Sequence, residues 1–231
     1  LHRIQSFDRF MTTEGRTIFS RIVRFVKRTI LFLFIVQLIY LILLRWINPP
    51  ITITQLSNWV GGNGLKRDYV DYEDISVPVK LAVIASEDQL FADHDGFDFK
   101  SIKRAMKHNK KSRSLQGAST ISQQVAKNVF LWQGRSWIRK GLEVYFTFMV
   151  ELLWSKKRIL EVYLNVIEMG KGVFGIEAAA QRYFKTPAKN LSKQESAMIA
   201  ACLPNPKLYT VTPVSAHVAS RYPWIMQQMN N

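Results

Sequence analysis

Glu87-Asp-Gln-Leu-Phe-Ala-Asp-His-Asp-Gly96 places four carboxylates and one histidine around a single phenylalanine. The stretch follows an apolar run, residues 79–85, which predicts a buried helix. Carboxylates that crowd together at the end of a buried element repel one another and lose water, and both effects raise a carboxyl pKa. The stretch therefore predicts a carboxyl group that can accept a proton at neutral pH, with Glu87 as the candidate base.

A second polar segment follows further along the chain, Gln116-Gly-Ala-Ser-Thr-Ile-Ser-Gln-Gln124. Its small, uncharged side chains are typical of a loop that lies against a sugar or a phosphate. Beyond it come four cations and then the acid Glu143; the cations are Lys127, Arg135, Arg139 and Lys140. Spacings of three and four residues place the last two cations and Glu143 on adjoining surface of a predicted helix. One base and several cations suit a reaction in which a sugar hydroxyl displaces a diphosphate from an anomeric carbon. The base removes the hydroxyl proton, and the cations stabilise the charge on the departing phosphates.

Size and composition limit the other functions that the chain can have. Its 231 residues can form one substantial core with an accessory segment. The formal net charge of +15 is typical of a protein that contacts nucleic acid, an anionic membrane surface or a phosphate-bearing substrate. A single cysteine, Cys202, excludes an intrachain disulfide and a thiolate metal site, and we predict that it is a core residue. The histidines show no ligand spacing, so a metal site made by protein ligands alone is not expected: His2, His94, His108 and His217.

The N-terminal region predicts a membrane anchor. Residues 1–28 carry seven cationic side chains against two acids, and the 16 residues 29–44 carry no charge. A helix of that length spans about 24 Å of a hydrocarbon core of about 30 Å, but Arg45 can snorkel and Trp46 and Ile47 extend the apolar length. A buried core helix should show a polar face, and a cleaved signal sequence should end in small residues. We therefore favour an uncleaved anchor with the N-terminus in the cytoplasm.

We divide the chain into a basic cytoplasmic segment (1–28), a transmembrane anchor (29–47), a linker (48–64) and a mainly α-helical domain (65–231). Pro49 and Pro50 end the anchor, and the linker is expected to contain a short extended piece at residues 51–54. Hydrophobic periodicity predicts helices at residues 79–88, 100–108, 119–130, 137–154, 156–169, 176–183 and 192–203. The domain shows no alternating strand pattern of useful length.

Several motifs in order resemble the peptidoglycan glycosyltransferase family, the domain shared by bifunctional penicillin-binding proteins and stand-alone transglycosylases. The matching pieces are Glu87-Asp88-x-x-Phe91-x-x-His94-x-Gly96, Gly117-Ala-Ser-Thr-Ile-Ser-Gln-Gln124 with Lys127-Asn128, Arg139-Lys140-x-x-Glu143, Arg158-Ile-Leu-Glu-Val-Tyr-Leu-Asn165 and Gly172-x-x-Gly175-Ile-Glu-Ala-Ala-Ala-x-x-Tyr183-Phe184. They lie between residues 65 and 210, and the chain has no room for a transpeptidase domain. It therefore resembles the monofunctional, membrane-anchored form of the family.

The resemblance implies a lysozyme-like helical fold and an inverting hexosyltransferase that polymerises lipid II into β-1,4-linked glycan strands and releases undecaprenyl diphosphate. It implies Glu87 as the general base on the acceptor 4-hydroxyl, and Glu143 as a second catalytic acid that orients the cations. It implies a substrate site made of Asp88, Phe91, His94, Gly117, Ser119, Thr120, Gln123, Gln124, Lys127, Asn128, Arg135, Arg139 and Lys140. It leaves open whether a divalent cation, Mg²⁺ or Mn²⁺, assists at the diphosphate.

The resemblance also implies partners and a location. We expect lipid II, the growing glycan strand, the membrane and proteins of cell-wall synthesis or division as partners, but no nucleic acid. The expected location is the cell inner membrane, with a single pass and a periplasmic catalytic domain. Residues 100–113 depart from the family, because they are heavily basic where lipid-facing apolar residues are expected. We predict that this segment lies on anionic head groups.

Alternative interpretations are open at this point. Taken alone, Arg139, Lys140 and Glu143 are typical of a solvated ion pair on a helix, and His94 is typical of a hydrogen-bonding scaffold. A membrane-anchored muramidase that cleaves glycan strands would need a second carboxylate about 6.5–9.5 Å from the acid. The leaving group in its substrate carries no phosphate for the cations to bind. A basic module that binds anionic lipid or nucleic acid would explain the net charge but not the acids around Glu87.

Overall fold

The computed structural model describes residues 2–112, 117–134 and 136–230. The chain divides into two compact units, Leu1–Trp46 and Ile47–Asn231. The first unit is one long helix, α1 (His2–Leu43). Its stretch Ile18–Leu43 has 26 residues and is long and apolar enough to cross a membrane. At about 39 Å it exceeds a hydrocarbon core of about 30 Å and fits a single-pass anchor. This apolar stretch begins earlier and ends earlier than the anchor predicted at residues 29–47.

The second unit is mainly helical. Its elements, in chain order, are α2 (Ile53–Val60), β1 (Lys66–Arg67), a 3-10 helix (Tyr72–Asp74), α3 (Val77–Glu87), α4 (Phe99–Asn109), α5 (Ile121–Phe130), α6 (Trp137–Leu153), α7 (Lys156–Val166), β2 (Glu168–Gly170), β3 (Val173–Phe174), α8 (Ile176–Phe184), a second 3-10 helix (Ala188–Asn190), α9 (Lys193–Cys202) and α10 (Ala216–Gln228). The prediction of a mainly α-helical protein is confirmed.

Hydroxyl side chains determine where many of these helices begin. In three capping boxes the hydroxyl accepts a hydrogen bond from the third backbone N–H, and the side chain at that third position bonds back to the N–H of the cap. These pairs are Thr52 with Gln55, Thr120 with Gln123, and Ser192 with Glu195. Single hydroxyl caps at Ser76, Ser136, Ser155 and Ser215 start α3, α6, α7 and α10. Each cap stabilises its helix by about 1 kcal/mol.

The core of the second unit forms around α7, whose Ile159, Tyr163 and Leu164 are completely buried. Helix α5 packs against both α6 and α7, while α10 packs against α9 and α3. The C-terminal end of α3 contacts α5 through a hydrogen bond between Glu87 and Gln124. The packing thus brings the first two polar segments of the sequence together.

A small sheet with the strand order β1-β3-β2 lies beside this core, with β1 parallel and β2 antiparallel to β3. Two glycines allow its turns to pass close to neighbouring backbone. Gly172 has φ +68°, and a Cβ there would lie 2.2 Å from the carbonyl oxygen of Asn63. Gly175 has φ +84°, and a Cβ there would lie 2.7 Å from the carbonyl oxygen of Asn165. Both positions therefore require glycine.

The structure corrects three expectations. The extended piece predicted at residues 51–54 is wrong, because the Thr52 capping box starts α2 at Ile53. The helix predicted at residues 156–169 ends at Val166, and Glu168–Gly170 forms β2, since strand pairing with β3 replaces the last helical turn. Helix α10 lies outside the helices predicted from the sequence, because Pro223 interrupts the usual helical pattern there.

Candidate active site

Glu87 is the last residue of α3, and its carboxylate lines a cavity of about 850 Å³. Its Oε2 accepts a hydrogen bond of 2.7 Å from the side-chain amide of Gln124. The buried hydroxyl of Tyr163 donates to the other atom of that amide, Oε1, at 3.4 Å, which orients the NH₂ group toward Glu87. Burial raises the pKa of Glu87 above its ordinary value, while the Gln124 hydrogen bond and the charges of Arg221 and Lys127 act in the opposite direction.

Asp88 holds the first two motifs together. One oxygen of its buried carboxylate lies 2.8 Å from His94 Nε2, and the other accepts a hydrogen bond of 3.0 Å from the backbone N–H of Ile121. The backbone N–H of Gly96 donates to His94 Nδ1, so the ring proton lies on Nε2 and points at Asp88. Asp88 lines a hollow of about 520 Å³ beside Glu87, but both of its oxygens have partners within the protein. Asp88 and His94 therefore support the site, as the scaffold interpretation of His94 predicted.

The loop before α5 forms the wall between the hollows of this site. Ser119 lines the large cavity, a second hollow of about 520 Å³ and an apolar groove of about 440 Å³. Gly117 lines the first two of these spaces. Thr120 is buried, and its hydroxyl donates to the carbonyl oxygen of Gly96 at 2.7 Å, which attaches the loop to the first motif. The loop is therefore held close to Glu87.

The cations form a cluster around a buried acid. Glu143 is 3% exposed and accepts hydrogen bonds from Arg139 Nη1 at 2.8 Å and from Lys140 Nζ at 2.5 Å. Burial lowers the pKa of the nearby Lys127 ammonium, and the charge of Glu143 counteracts this effect. The sequence alone is typical of a solvated ion pair at this place. In the structure the pair between Arg139 and Glu143 is mostly buried.

Lys127 and Lys140 lie in different hollows. Lys127 shares the large cavity with Glu87, whereas Lys140 lines the apolar groove together with Phe97, Phe99 and other side chains. Ala118 and Ser119 border both spaces. The base and the first cation therefore line one hollow, and Lys140 lies across the loop wall from it.

The other predicted site residues have supporting positions. Asn128 is buried in the cavity wall and donates to the carbonyl oxygen of Gln124. Gln123 forms the capping box of α5 and lines the apolar groove. Phe91 is a core residue beneath the ammonium of Lys156. Arg135 lies outside the described residues, so its predicted role stays a prediction.

Several residues of this cavity are not predicted from the sequence. Arg221 on α10 lines both the large cavity and the second hollow with Glu87, and its guanidinium lies 3.7 Å from the centre of the Trp224 ring. The large cavity is also lined by Thr54, Asn58, Gln133, Glu168 and Lys207. Thr54 and Asn58 lie on α2, and Gln133, Glu168 and Lys207 lie outside the quoted motifs, so no local pattern marks them.

The described residues include no group of three or more histidine, cysteine, aspartate or glutamate side chains arranged to hold a metal ion. The polar groups that line the large cavity near Glu87 are instead mostly amides, hydroxyls and cations. These residues suit an anionic, hydroxyl-rich ligand.

Comparison with known proteins agrees with this chemistry. The transglycosylase family model matches residues 53–230. The biosynthetic peptidoglycan transglycosylase of Pseudomonas putida is 48% identical over 217 residues, which cover 91% of this chain and 92% of that protein. The protein of the same name from Pseudomonas entomophila is also 48% identical over 217 residues, with the same coverage. The one from Mannheimia succiniciproducens is 58% identical over 164 residues, or 71% of this chain and 67% of that protein.

Proposed function

Because this chain belongs to the transglycosylase family and is a peptidoglycan transglycosylase, we propose that it polymerises lipid II into β-1,4-linked glycan strands and releases undecaprenyl diphosphate. The observation that carries this proposal is the placement of Glu87 and Lys127 on one cavity of about 850 Å³. A carboxylate with a raised pKa and a cation on the same hollow suit proton removal and stabilisation of a leaving phosphate.

Glu87 is the general base of the proposed reaction. Its carboxylate takes the proton of the 4-hydroxyl on the acceptor GlcNAc while the hydroxyl oxygen attacks C1 of the α-linked MurNAc donor. The bond between C1 and the diphosphate oxygen breaks on the opposite face, so the new linkage is β. The hydrogen bond from Gln124 holds the carboxylate in place and favours its ionised form before the acceptor binds.

The cations stabilise the departing diphosphate. Lys127 lines the cavity, and Lys140 lines the apolar groove on the other side of the loop wall. Glu143 holds both Arg139 and Lys140. Phosphate oxygens form strong, charge-assisted bonds with such groups. The apolar groove beside Lys140, lined by Phe97 and Phe99, offers a surface for the lipid chain that the diphosphate carries.

Glu87 and the cationic side chains carry the proposed steps without a metal ion. The described side chains offer no ligand set for one, so a divalent cation would be bound mainly by the diphosphate itself. Mg²⁺ or Mn²⁺ would then add charge stabilisation to that already supplied by Lys127.

The proposed location is the inner membrane, with α1 as a single-pass anchor, the N-terminus in the cytoplasm and the catalytic unit in the periplasm. The cationic bias of residues 1–28 supports this orientation.

Helix α4 carries several exposed basic side chains, but Phe99 and Met106 are also exposed. Its proposed contact with the membrane therefore combines anionic head groups with some apolar insertion.

The experiment that tests the proposed function uses the full-length protein in detergent with labelled lipid II, with and without a chelator. We expect a ladder of glycan products that depends on protein, resolved by gel electrophoresis. A chelator-insensitive ladder would show that a metal is not required. Trimming of finished cell wall without consumption of lipid II would contradict the proposal and favour a muramidase.

The rate of polymerisation should fall at low pH (the acid limb of the profile) and at high pH (the alkaline limb). The acid limb follows Glu87, which cannot accept a proton once protonated, and burial places this limb above the pH expected for an exposed glutamate. The alkaline limb follows Lys127, whose pKa burial lowers. In Arg221→Gln the acid limb should move to higher pH, because a positive charge that favours ionised Glu87 is lost. The measurement is kcat/KM against pH.

Lys207→Gln is the matched control for Arg221→Gln, because Lys207 lines the same cavity but pairs with Glu168 at 3.8 Å. Its acid limb should move less than that of Arg221→Gln. Equal shifts in the two variants would show that the general charge of the cavity, and not Arg221, acts on Glu87.

A further inference from the structure

The ion pair between Glu151 and Lys156 connects the first two motifs from outside the cavity. Glu151 belongs to the last turn of α6, and Lys156 is the first residue of α7. Their atoms Oε1 and Nζ are 2.8 Å apart, and the glutamate side chain is 9% exposed. Neither residue is among the side chains that line the cavity of Glu87. Any influence of the pair on the base must therefore pass through other residues.

Lys156 holds the stretch of chain that follows the base. Its ammonium donates a hydrogen bond to the backbone carbonyl oxygen of His94. The same ammonium lies 4.7 Å from the centre of the Phe91 ring. The His94 ring is bonded in turn to Asp88, the neighbour of Glu87 in sequence. Lys156 thus contacts the first motif at two points.

Glu151 holds the start of α5. Its Oε1 accepts a hydrogen bond from the hydroxyl of Ser122, the second residue of that helix. Two residues later Gln124 donates to Glu87 at 2.7 Å. A Cβ on Gly96 would lie 2.9 Å from Glu151 Cγ, so the first motif also packs directly against this glutamate. The ion pair therefore joins the two segments that meet at the base.

We propose that the two residues of this ion pair are positioning residues, which hold Gln124 against the Glu87 carboxylate. The inference rests on the proposed function and extends it to a pair outside the cavity. The Gln124 hydrogen bond favours the ionised carboxylate, so its geometry affects how readily Glu87 accepts a proton. A mostly buried ion pair holds its partners in one arrangement, since each charge loses its compensation when the pair opens.

Lys156→Met tests the inference, because it removes the ammonium and keeps most of the side-chain length. We expect kcat to fall by about 10- to 100-fold with little change in KM, since the effect is a misplaced base and not a lost substrate contact. The acid limb should move to higher pH, because a weaker Gln124 hydrogen bond raises the pKa of Glu87. Lys156→Arg keeps the positive charge and should restore most of both properties.

A double variant separates this route from a direct effect of the lost charge on Glu87. In Gln124→Leu the hydrogen bond is already absent, so adding Lys156→Met should move the acid limb no further. The charged groups that act on Glu87 are the same in all these variants: Asp88, Lys127 and Arg221. A shift of the same size in the Gln124→Leu background would overturn the inference.

Arg158→Met is the matched control for a purely structural loss. Arg158 also lies on α7 and pairs with Glu161, and the two side chains are 10% and 14% exposed. Its guanidinium donates to Ile47 and Asn48, which belong to neither of the first two motifs. We expect the free energy of unfolding to fall in both Lys156→Met and Arg158→Met, but the acid limb to move only in the first.

Ser122→Ala decides the question if Lys156→Met does not fold. It removes one hydroxyl from the contact with Glu151, and its acid limb should move in the same direction by a smaller amount. An unmoved acid limb in Ser122→Ala and in folded Lys156→Met, or equal shifts in Lys156→Met and Arg158→Met, would contradict the positioning role. A wild-type protein that makes no product ladder would instead contradict the proposed function, so the two failures are distinguishable.

Discussion

Replacing Glu87 by Gln should lower kcat for glycan polymerisation by about 10²- to 10⁴-fold, the usual contribution of a general base. The glutamine has nearly the same shape, so it can still contact Gln124, but its amide cannot accept the proton of the acceptor hydroxyl. Product formation from lipid II, measured under saturating substrate, tests the prediction. Glu73→Gln is the control, because that carboxylate is exposed and pairs with Lys157 on the surface.

The same substitution should not weaken the fold. Because the pKa of Glu87 is raised in the folded protein, the stability linked to its protonated form is present at low pH and is lost as the pH rises through that pKa. Glu87→Gln removes this dependence, so its free energy of unfolding at neutral pH should equal or exceed that of wild type. Near-normal activity, or a large loss of stability, would contradict the role of Glu87 as a buried base.

Glu143→Gln should lower the free energy of unfolding by about 3 kcal/mol, since removing one partner of a buried ion pair leaves an uncompensated charge. Arg139, whose side chain is 12% exposed, would lose its carboxylate. Polymerisation should fall as well, because Arg139 and Lys140 would no longer be held in position. Denaturant unfolding measures the first effect, and lipid II turnover measures the second.

The pH profile adds a further check on Glu143. Its negative charge favours the protonated form of Lys127, so the alkaline limb of Glu143→Gln should move to lower pH.

For the stability of Glu143→Gln, Asp74→Asn is the matched control. The pair of Asp74 with Lys189 is exposed on both sides, so its loss should cost at most about 1 kcal/mol. If Glu143→Gln and Asp74→Asn lower the free energy of unfolding by a similar, small amount, Glu143 does not hold the cation cluster together.

Much of the fold and the centre of the site could be predicted from the sequence, for local reasons. Hydroxyl caps such as Thr120 and Ser192 precede apolar periodic runs and so indicate helix starts. Short spacings within the motifs placed Arg139 and Lys140 on one helix face with Glu143, as the structure has them. The contact between Glu87 and Gln124 agrees with the expectation that the first two polar segments form one site.

The remaining features depend on long-range packing or on signals too short to detect. Helix α2 directs its polar face inward, so hydrophobic periodicity gave no hint that Asn58 lines the cavity. The strands have only two or three residues, which is too few for an alternating pattern. The separation of Lys127 and Lys140 by the Ser119 loop follows from tertiary packing alone.

The placement of Arg221 on α10, far in the chain from Glu87, has a consequence for biosynthesis. A ribosome makes the acid, its amide partner Gln124 and the cation cluster well before it makes residue 221. Until then the face of α3 that α10 covers is exposed to solvent, and the Arg221 guanidinium, which favours the ionised form of Glu87, is missing. A nascent chain that lacks α10 therefore has an incomplete catalytic centre, which is completed only when α10 docks.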